Sequence, residues 1–209
     1  NIAVFRGSAT GCSLRIVNNP RLKVAFLDKE WRRVDHTNNG LLDAGVTKFP
    51  NRLVTEEGYN NEEGAPNVFD SKNPELYNKF KDIISCGNWG KDKPGDKHVK
   101  YMSLQDQSKY KYILNIEGNS AAYRLSYLLS LESVILNVKC GNKLWWENLW
   151  KPYNISRDAS KDDPSNMGEY IEIDRNLNNL EEVIRWCREN DDKCKQIAQN
   201  AKDFYNRYL

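Results

Sequence analysis

"YKYILNIEGNSAAYRLSYLLSLESVILNV", residues 110–138, decides the fold. An apolar run, YILNI, stops at Glu117-Gly118-Asn119-Ser120. A helix-like stretch, "SAAYRLSYLLSL", follows at once, and a second apolar run, "SVILNV", closes the segment. Strand, small polar corner, helix, strand is the unit from which parallel sheets are built. Both apolar runs are continuous rather than alternating, as strands covered on both faces are.

The same grammar extends in both directions. Upstream, "IAVF" (residues 2–5) reads as a short buried strand. "NNPRLKVAFLDKEW" reads as a helix, with Asn19 as cap and Pro20 at its first position. "LLDAGVTKF" (residues 41–49) reads as another strand, with Asp43 as a structural acid. A long polar stretch follows, from about residue 51 to residue 100, with one helical segment, "NPELYNKFKDIIS". It is a surface excursion from a single domain covering residues 1–209. Downstream, "LWWENLWKPY" reads as a short aromatic helix and "EYIEI" as a strand. Two closing helices, "NLEEVIRWCREN" and "DDKCKQIAQNAKDFYNRYL", take Asn179 and Asp191 or Asp192 as caps. Strands separated by helices predict an α/β fold: a Rossmann-like parallel sheet of four to six strands with helices on both faces.

Composition narrows the function. Charged residues make up 29% of the chain and hydrophobic ones 39%, the balance of a globular protein. No apolar run approaches the roughly 18 residues of a membrane helix. Net charge is +2 with acid and base interleaved, so the basic stripe of a nucleic-acid binder is missing. The five cysteines, Cys12, Cys86, Cys140, Cys187 and Cys194, lack zinc-knuckle spacing and read as ordinary thiols. The two histidines, His36 and His98, sit in polar loops, which argues against a Cys/His nucleophile or a histidine metal site. No carboxylate triad stands at a strand end, so no metal site is expected. The chain opens "NIAVF" without Met and reads as a fragment of a longer polypeptide.

In an open parallel sheet, ligands bind at the carboxyl ends of the strands. Two such ends here carry a glycine-containing polar turn with an arginine: "VFRGSATG" and "IEGNSAAYR". A helix that begins straight after a strand aims its first N–H groups at the crevice, and they favour an anion. Gly118, Ser120, Ala121 and Ala122 are small enough for a ligand to approach the backbone. Arg124, four residues after Ser120, faces the same spot with a planar fork suited to phosphate. In the first turn Arg6 offers the same fork, and Ser8 and Thr10 offer hydroxyls. Together these groups match a pyrophosphate better than a single carboxylate. Neither turn is a Walker loop or a GxGxxG fingerprint, which disfavours an unrelated nucleotide-binding domain. The plainer alternative for each turn is a strand-to-helix corner with a capping serine and a surface arginine. Glu147, among Trp145, Trp146 and Trp150, is an acid in an aromatic cluster and needs partners, such as a pair of sugar hydroxyls.

Four stretches, "FRGSATG", the opening segment, "WWENLWKPY" and the run from "YIEIDRN" to the C-terminus, resemble glycosyltransferase family 90 in their order. That family includes protein O-glucosyltransferases, capsule xylosyltransferases and lipopolysaccharide-modifying and viral relatives. The resemblance implies the C-terminal, donor-binding lobe of a GT-B glycosyltransferase. It implies inverting transfer of glucose, xylose or a related sugar from a UDP-sugar to a hydroxyl of a glycan or protein acceptor. No metal or other cofactor is implied. Carried over by position, Arg6, Ser8, Thr10, Gly118, Ser120, Ala121, Ala122 and Arg124 surround the UDP, and Glu147 lies near the ribose. The family's general base is an aspartate of an N-terminal lobe, and no equivalent stretch precedes Phe5, so the catalytic base is expected outside this chain. The resemblance places such a protein in the ER or Golgi lumen if eukaryotic and in the cytoplasm if viral or bacterial. The competing reading is a non-catalytic nucleotide-sugar- or protein-binding domain that retains the fold.

Overall fold

The computed structural model describes residues 1–10, 19–34, 40–48, 101–118, 123–139, 141, 143–157 and 167–209. The helix expected at 73–85 lies outside them, as do Ser120, Ala121 and Ala122. The chain divides into two compact units. The first comprises Asn1–Phe5, Gly40–Asp43 and Met102–Leu209; the second comprises Arg6–Asn39 and Ala44–Tyr101.

The expected α/β fold is present. Six strands, β1 (Ala3–Ser8), β2 (Leu42–Lys48), β3 (Tyr112–Asn115), β4 (Val134–Val138), β5 (Pro152–Tyr153) and β6 (Tyr170–Ile173), form one sheet in the order β2-β1-β3-β4-β6-β5. The pairs β1/β3, β3/β4, β4/β6 and β5/β6 are all parallel. β3 is buried along its whole length and β4 at every residue but Asn137, which is why their sequence does not alternate.

Each face of the sheet has its own cover. Val4, Ile113, Ile135 and Tyr170 point to one face. There they meet Leu125, Leu128 and Leu129 of α3 (Leu125–Leu129) and Ala201 and Phe204 of α5 (Asp191–Tyr208). Side chains alternate along a strand, so Tyr112 points to the other face. Its hydroxyl donates to the Cys187 carbonyl of α4 (Leu180–Glu189) at 3.0 Å. Arg188, one residue on, donates to the carbonyls of Asn1 at 2.9 Å and Gly40 at 2.5 Å. Gly40 holds φ of 40°, a conformation that glycine adopts without the Cβ clash.

The structure departs from the sequence reading at several elements. "LWWENLWKPY" is a run of tight turns ending in β5, not a helix, with N–H to C=O bonds from Glu147 to Leu144 and from Leu149 to Trp146. Its tryptophans divide: Trp146 and Trp150 are buried at 2% and 5% exposure, whereas Trp145 is 77% exposed. Trp150 stacks on Tyr170 at 3.9 Å and Trp146 meets it edge-on at 5.5 Å, so aromatic packing holds the segment without helical bonds. Asn179 does not cap α4; its side chain accepts from the Asp174 N–H at 2.9 Å and donates to the Glu172 carbonyl at 3.3 Å. Asn190, not an aspartate, precedes α5, and Asp191 and Asp192 lie in its first turn. There Asp191 accepts from Lys111 at 2.5 Å, and Asp192 from Lys195 at 2.9 Å. A short helix, α2 (Leu104–Gln107), is added, with Ser103 Oγ accepting from the Asp106 N–H at 3.0 Å.

Candidate functional site

The two strand-to-helix corners are built from the same residue types, and the arginines beside them are held differently. After β1, Asn19 caps α1 (Pro20–Val34) as its sequence position requires. Its Oδ1 accepts from the N–H groups of Arg21 at 3.0 Å and Leu22 at 3.3 Å. Its Nδ2 donates to the Ala9 carbonyl at 3.1 Å. Arg21, in the first turn of α1, donates through Nη1 to the Ser8 carbonyl at 2.9 Å and to Thr10 Oγ1 at 2.8 Å. The Thr10 hydroxyl therefore already serves as an acceptor inside its own loop. Sequence reasoning missed Arg21. The available signal was an arginine directly after a capping Asn-Pro, where a long side chain reaches back over the turn. Arg6, Gly7 and Ser8 finish β1, with partly exposed side chains at Arg6 and Ser8.

After β3, the chain leaves the sheet at Ile116 and Glu117, both buried, and Gly118 is partly exposed. Glu117 is a carboxylate at 6% exposure, a position seldom given to an acid. Arg124 immediately precedes α3 in helical conformation, rather than standing inside the helix. The helix is five residues long, so its first N–H groups begin later than the sequence pattern suggested. The guanidinium of Arg124 lies over the Phe5 ring, 5.5 Å from its centroid. Burial pulls its pKa down to about 10, because the charged form loses hydration there.

Glu147 is partly buried, and its Oε1 accepts from the Leu144 N–H at 2.7 Å. Burial raises its pKa, and the Leu144 N–H and the nearby Lys143 charge oppose that rise. One carboxylate oxygen is thus committed to closing a turn. Asp43 accepts from the Tyr110 hydroxyl at 2.8 Å, in keeping with a structural acid. Among the described residues no group of three or more His, Cys, Asp or Glu side chains is placed to hold a metal ion, and no helix is long and apolar enough to cross a membrane.

Residues 69–209 match the family description Glycosyl transferase family 90. The uncharacterized protein 179R of Invertebrate iridescent virus 6 is 32% identical over 222 residues, covering 99% of this chain and 15% of the viral protein. Protein O-glucosyltransferase 2 of Danio rerio is 32% identical over 111 residues, covering 53% of this chain and 19% of its own length. Human Protein O-glucosyltransferase 1 is 27% identical over 141 residues, covering 66% of this chain and 32% of its own. The chain spans well under half the length of each of these relatives.

Proposed function

We propose, from the premise that this chain belongs to glycosyltransferase family 90, that it is the donor-binding domain of an inverting glycosyltransferase. In this reading it corresponds to the C-terminal lobe of a GT-B enzyme and holds a UDP-sugar. The observation that carries the reading is the corner after β3. There β3, in the middle of a parallel sheet, hands over to Glu117 and Gly118, and an arginine whose guanidinium is largely desolvated, Arg124, stands directly before α3. A cation held in low dielectric gains more from an anion than one in water. A diphosphate presents that charge together with the fork geometry a guanidinium matches.

In the transfer, the acceptor oxygen attacks the anomeric carbon as the bond from that carbon to the β-phosphate oxygen breaks. The bonding pair leaves with UDP, and the acceptor's proton passes to a general base. Arg124 stabilises the charge that grows on the diphosphate, which is electrostatic catalysis. Glu147 accepts a ribose hydroxyl through the oxygen not engaged by Leu144. The base belongs to a part of the enzyme outside these 209 residues, so the isolated chain binds donor without turning it over. No metal is required in this scheme, and the acceptor is a hydroxyl of a glycan or protein.

Calorimetric titration with UDP, ADP and GDP tests the proposal. UDP is expected to bind at sub-millimolar to millimolar concentration and more tightly than the purine nucleotides. A folded chain that binds none of the three at millimolar concentration overturns the donor-site reading.

A further inference from the structure

The sheet carries a polar row at the end where its strands finish. Asn115 is the last residue of β3, and it lies in register with Asn137 of β4. Asn137 in turn lies in register with Glu172 of β6. The three side chains project from the same face, two residues beyond the Ile113 and Ile135 that fill the core on that face. Asparagine is a poor strand former, and two of them side by side inside a parallel sheet need a reason.

The pair is not there for its own satisfaction. Asn115 is 1% exposed, and its Nδ2 donates to Asn137 Oδ1 at 2.7 Å. Its own Oδ1 is sealed from solvent and accepts no hydrogen bond. A buried acceptor left without a donor is costly, so such groups are rare and usually have a task. The task visible here is orientation. With Oδ1 of Asn137 turned to Asn115, the Nδ2 of Asn137 must point away from β3. Asn137 is itself partly exposed. Its register neighbour Glu172 offers carboxylate oxygens, one of which accepts from Lys139 at 2.9 Å. A fixed amide donor beside a carboxylate acceptor, about 4.8 Å apart across the strands, matches neighbouring hydroxyl groups, each of which donates and accepts.

We infer that Asn137 and Glu172 read a vicinal diol of the donor molecule, and that Asn115 is the positioning residue that holds the Asn137 amide for this contact. The inference rests on the donor-site reading above. The diol belongs either to the ribose or to the transferred sugar, and the two are separable by probe.

The experiment titrates the parent chain, Asn137→Leu and Asn115→Leu with UDP, 2′,3′-dideoxy-UDP and UDP-glucose. If the diol is the ribose, both variants weaken UDP about tenfold and leave the already weaker dideoxy analogue unchanged. If it is the transferred sugar, both variants remove the extra affinity of UDP-glucose over UDP and leave UDP unchanged. Asn115→Leu removes the orphaned carbonyl, so its unfolding midpoint is expected to stay level or rise while the binding loss persists. A purely structural role does not produce that combination. If Asn115→Leu fails to fold, the partly exposed Asn137→Leu decides alone. Equal losses on all three probes, or no loss on any, overturn the inference while leaving the donor site standing. A parent chain that binds none of the probes overturns the donor-site reading and this inference with it.

Discussion

The corners after β1 and β3 look alike in sequence, each with an arginine of its own, Arg6 and Arg124, yet the arginine that fastens the first corner is Arg21, which comes from α1. At the first, Arg21 is 7% exposed, and its cation is engaged by the loop's own oxygens, Ser8 O and Thr10 Oγ1. At the second, Arg124 is held over an aromatic ring with its pKa lowered by burial. A guanidinium satisfied by its own loop is a structural staple. A guanidinium whose charged form is disfavoured by desolvation gains when an anion arrives. Residue type alone does not separate the two roles; the environment of the charge does.

The largest expected effect tests the staple. Arg21→Ala removes two hydrogen bonds from a buried cation and leaves the Ser8 carbonyl and Thr10 hydroxyl to find other donors. Charge-assisted bonds are worth roughly 1.5–3 kcal/mol, so a loss of about 2–4 kcal/mol in urea unfolding is expected. A variant as stable as the parent breaks the comparison at its first term.

The second prediction takes the other arginine. Arg124→Met keeps the apolar stem over Phe5 and deletes the charge. UDP affinity is expected to fall about tenfold or more, on the scale of one charged hydrogen bond. Stability moves the other way. Burial depresses the folded pKa to about 10, well below the ordinary guanidinium value. The unfolded chain keeps its proton to higher pH than the folded one, so parent stability rises between those values and the full cost of burial is present at neutral pH. Arg124→Met is therefore expected to melt no lower than the parent at pH 7. A destabilised variant with unchanged UDP affinity would make Arg124 a second staple.

How far this was legible follows from the same distinction. The parallel sheet was legible because YILNI and SVILNV bury both faces, and burial on both faces removes alternation. The cap at Asn19 was legible because its hydrogen bonds are local. Asn179 has the right residue type at the right place, yet its side chain turns back to Asp174 and Glu172, contacts that depend on where β6 ends. The aromatic segment misled because Trp146, Trp150 and Tyr170 hold it by ring packing across the sheet, which has no helical period to read. Arg124 was legible as a candidate, but its desolvation was not, since that depends on Phe5, more than a hundred residues away in sequence. Asn115 and Asn137 passed as ordinary strand residues, because register between strands is not written in either one.

A smaller effect isolates the cap of the first corner. Asn19→Ala removes the acceptor for the Arg21 and Leu22 N–H groups. Loss of an N-cap costs about 1 kcal/mol, and the Ala9 carbonyl also loses its donor. Asn19→Asp keeps the cap and loses only the Ala9 bond, so it is expected to recover most of the difference. If Asp recovers nothing, the corner is held by the Ala9 contact rather than by the cap.

The smallest expected effect lies at Glu147, where structural and ligand roles meet in one carboxylate. Glu147→Gln retains an acceptor for the Leu144 N–H, so the turn should survive. Burial raises the Glu147 pKa above its ordinary value in the folded chain. The folded state then holds a proton that the unfolded state has released, so parent stability declines as pH rises from the ordinary carboxylate value through the raised one. At neutral pH the full penalty for the charged form is present. Gln has no such penalty, so the variant should be as stable as the parent or slightly more so at pH 7, and the gap should close as pH falls. Replacing a charged acceptor by a neutral one weakens a hydrogen bond by about 1 kcal/mol, so UDP affinity should drop only a few-fold. An unfolding difference that grows on acidification has the wrong sign and would mean the carboxylate is stabilised, not strained, by its surroundings. An unchanged UDP affinity would leave Glu147 as the fastener of its own turn, a staple like Arg21, and would remove the ribose from its side of the site.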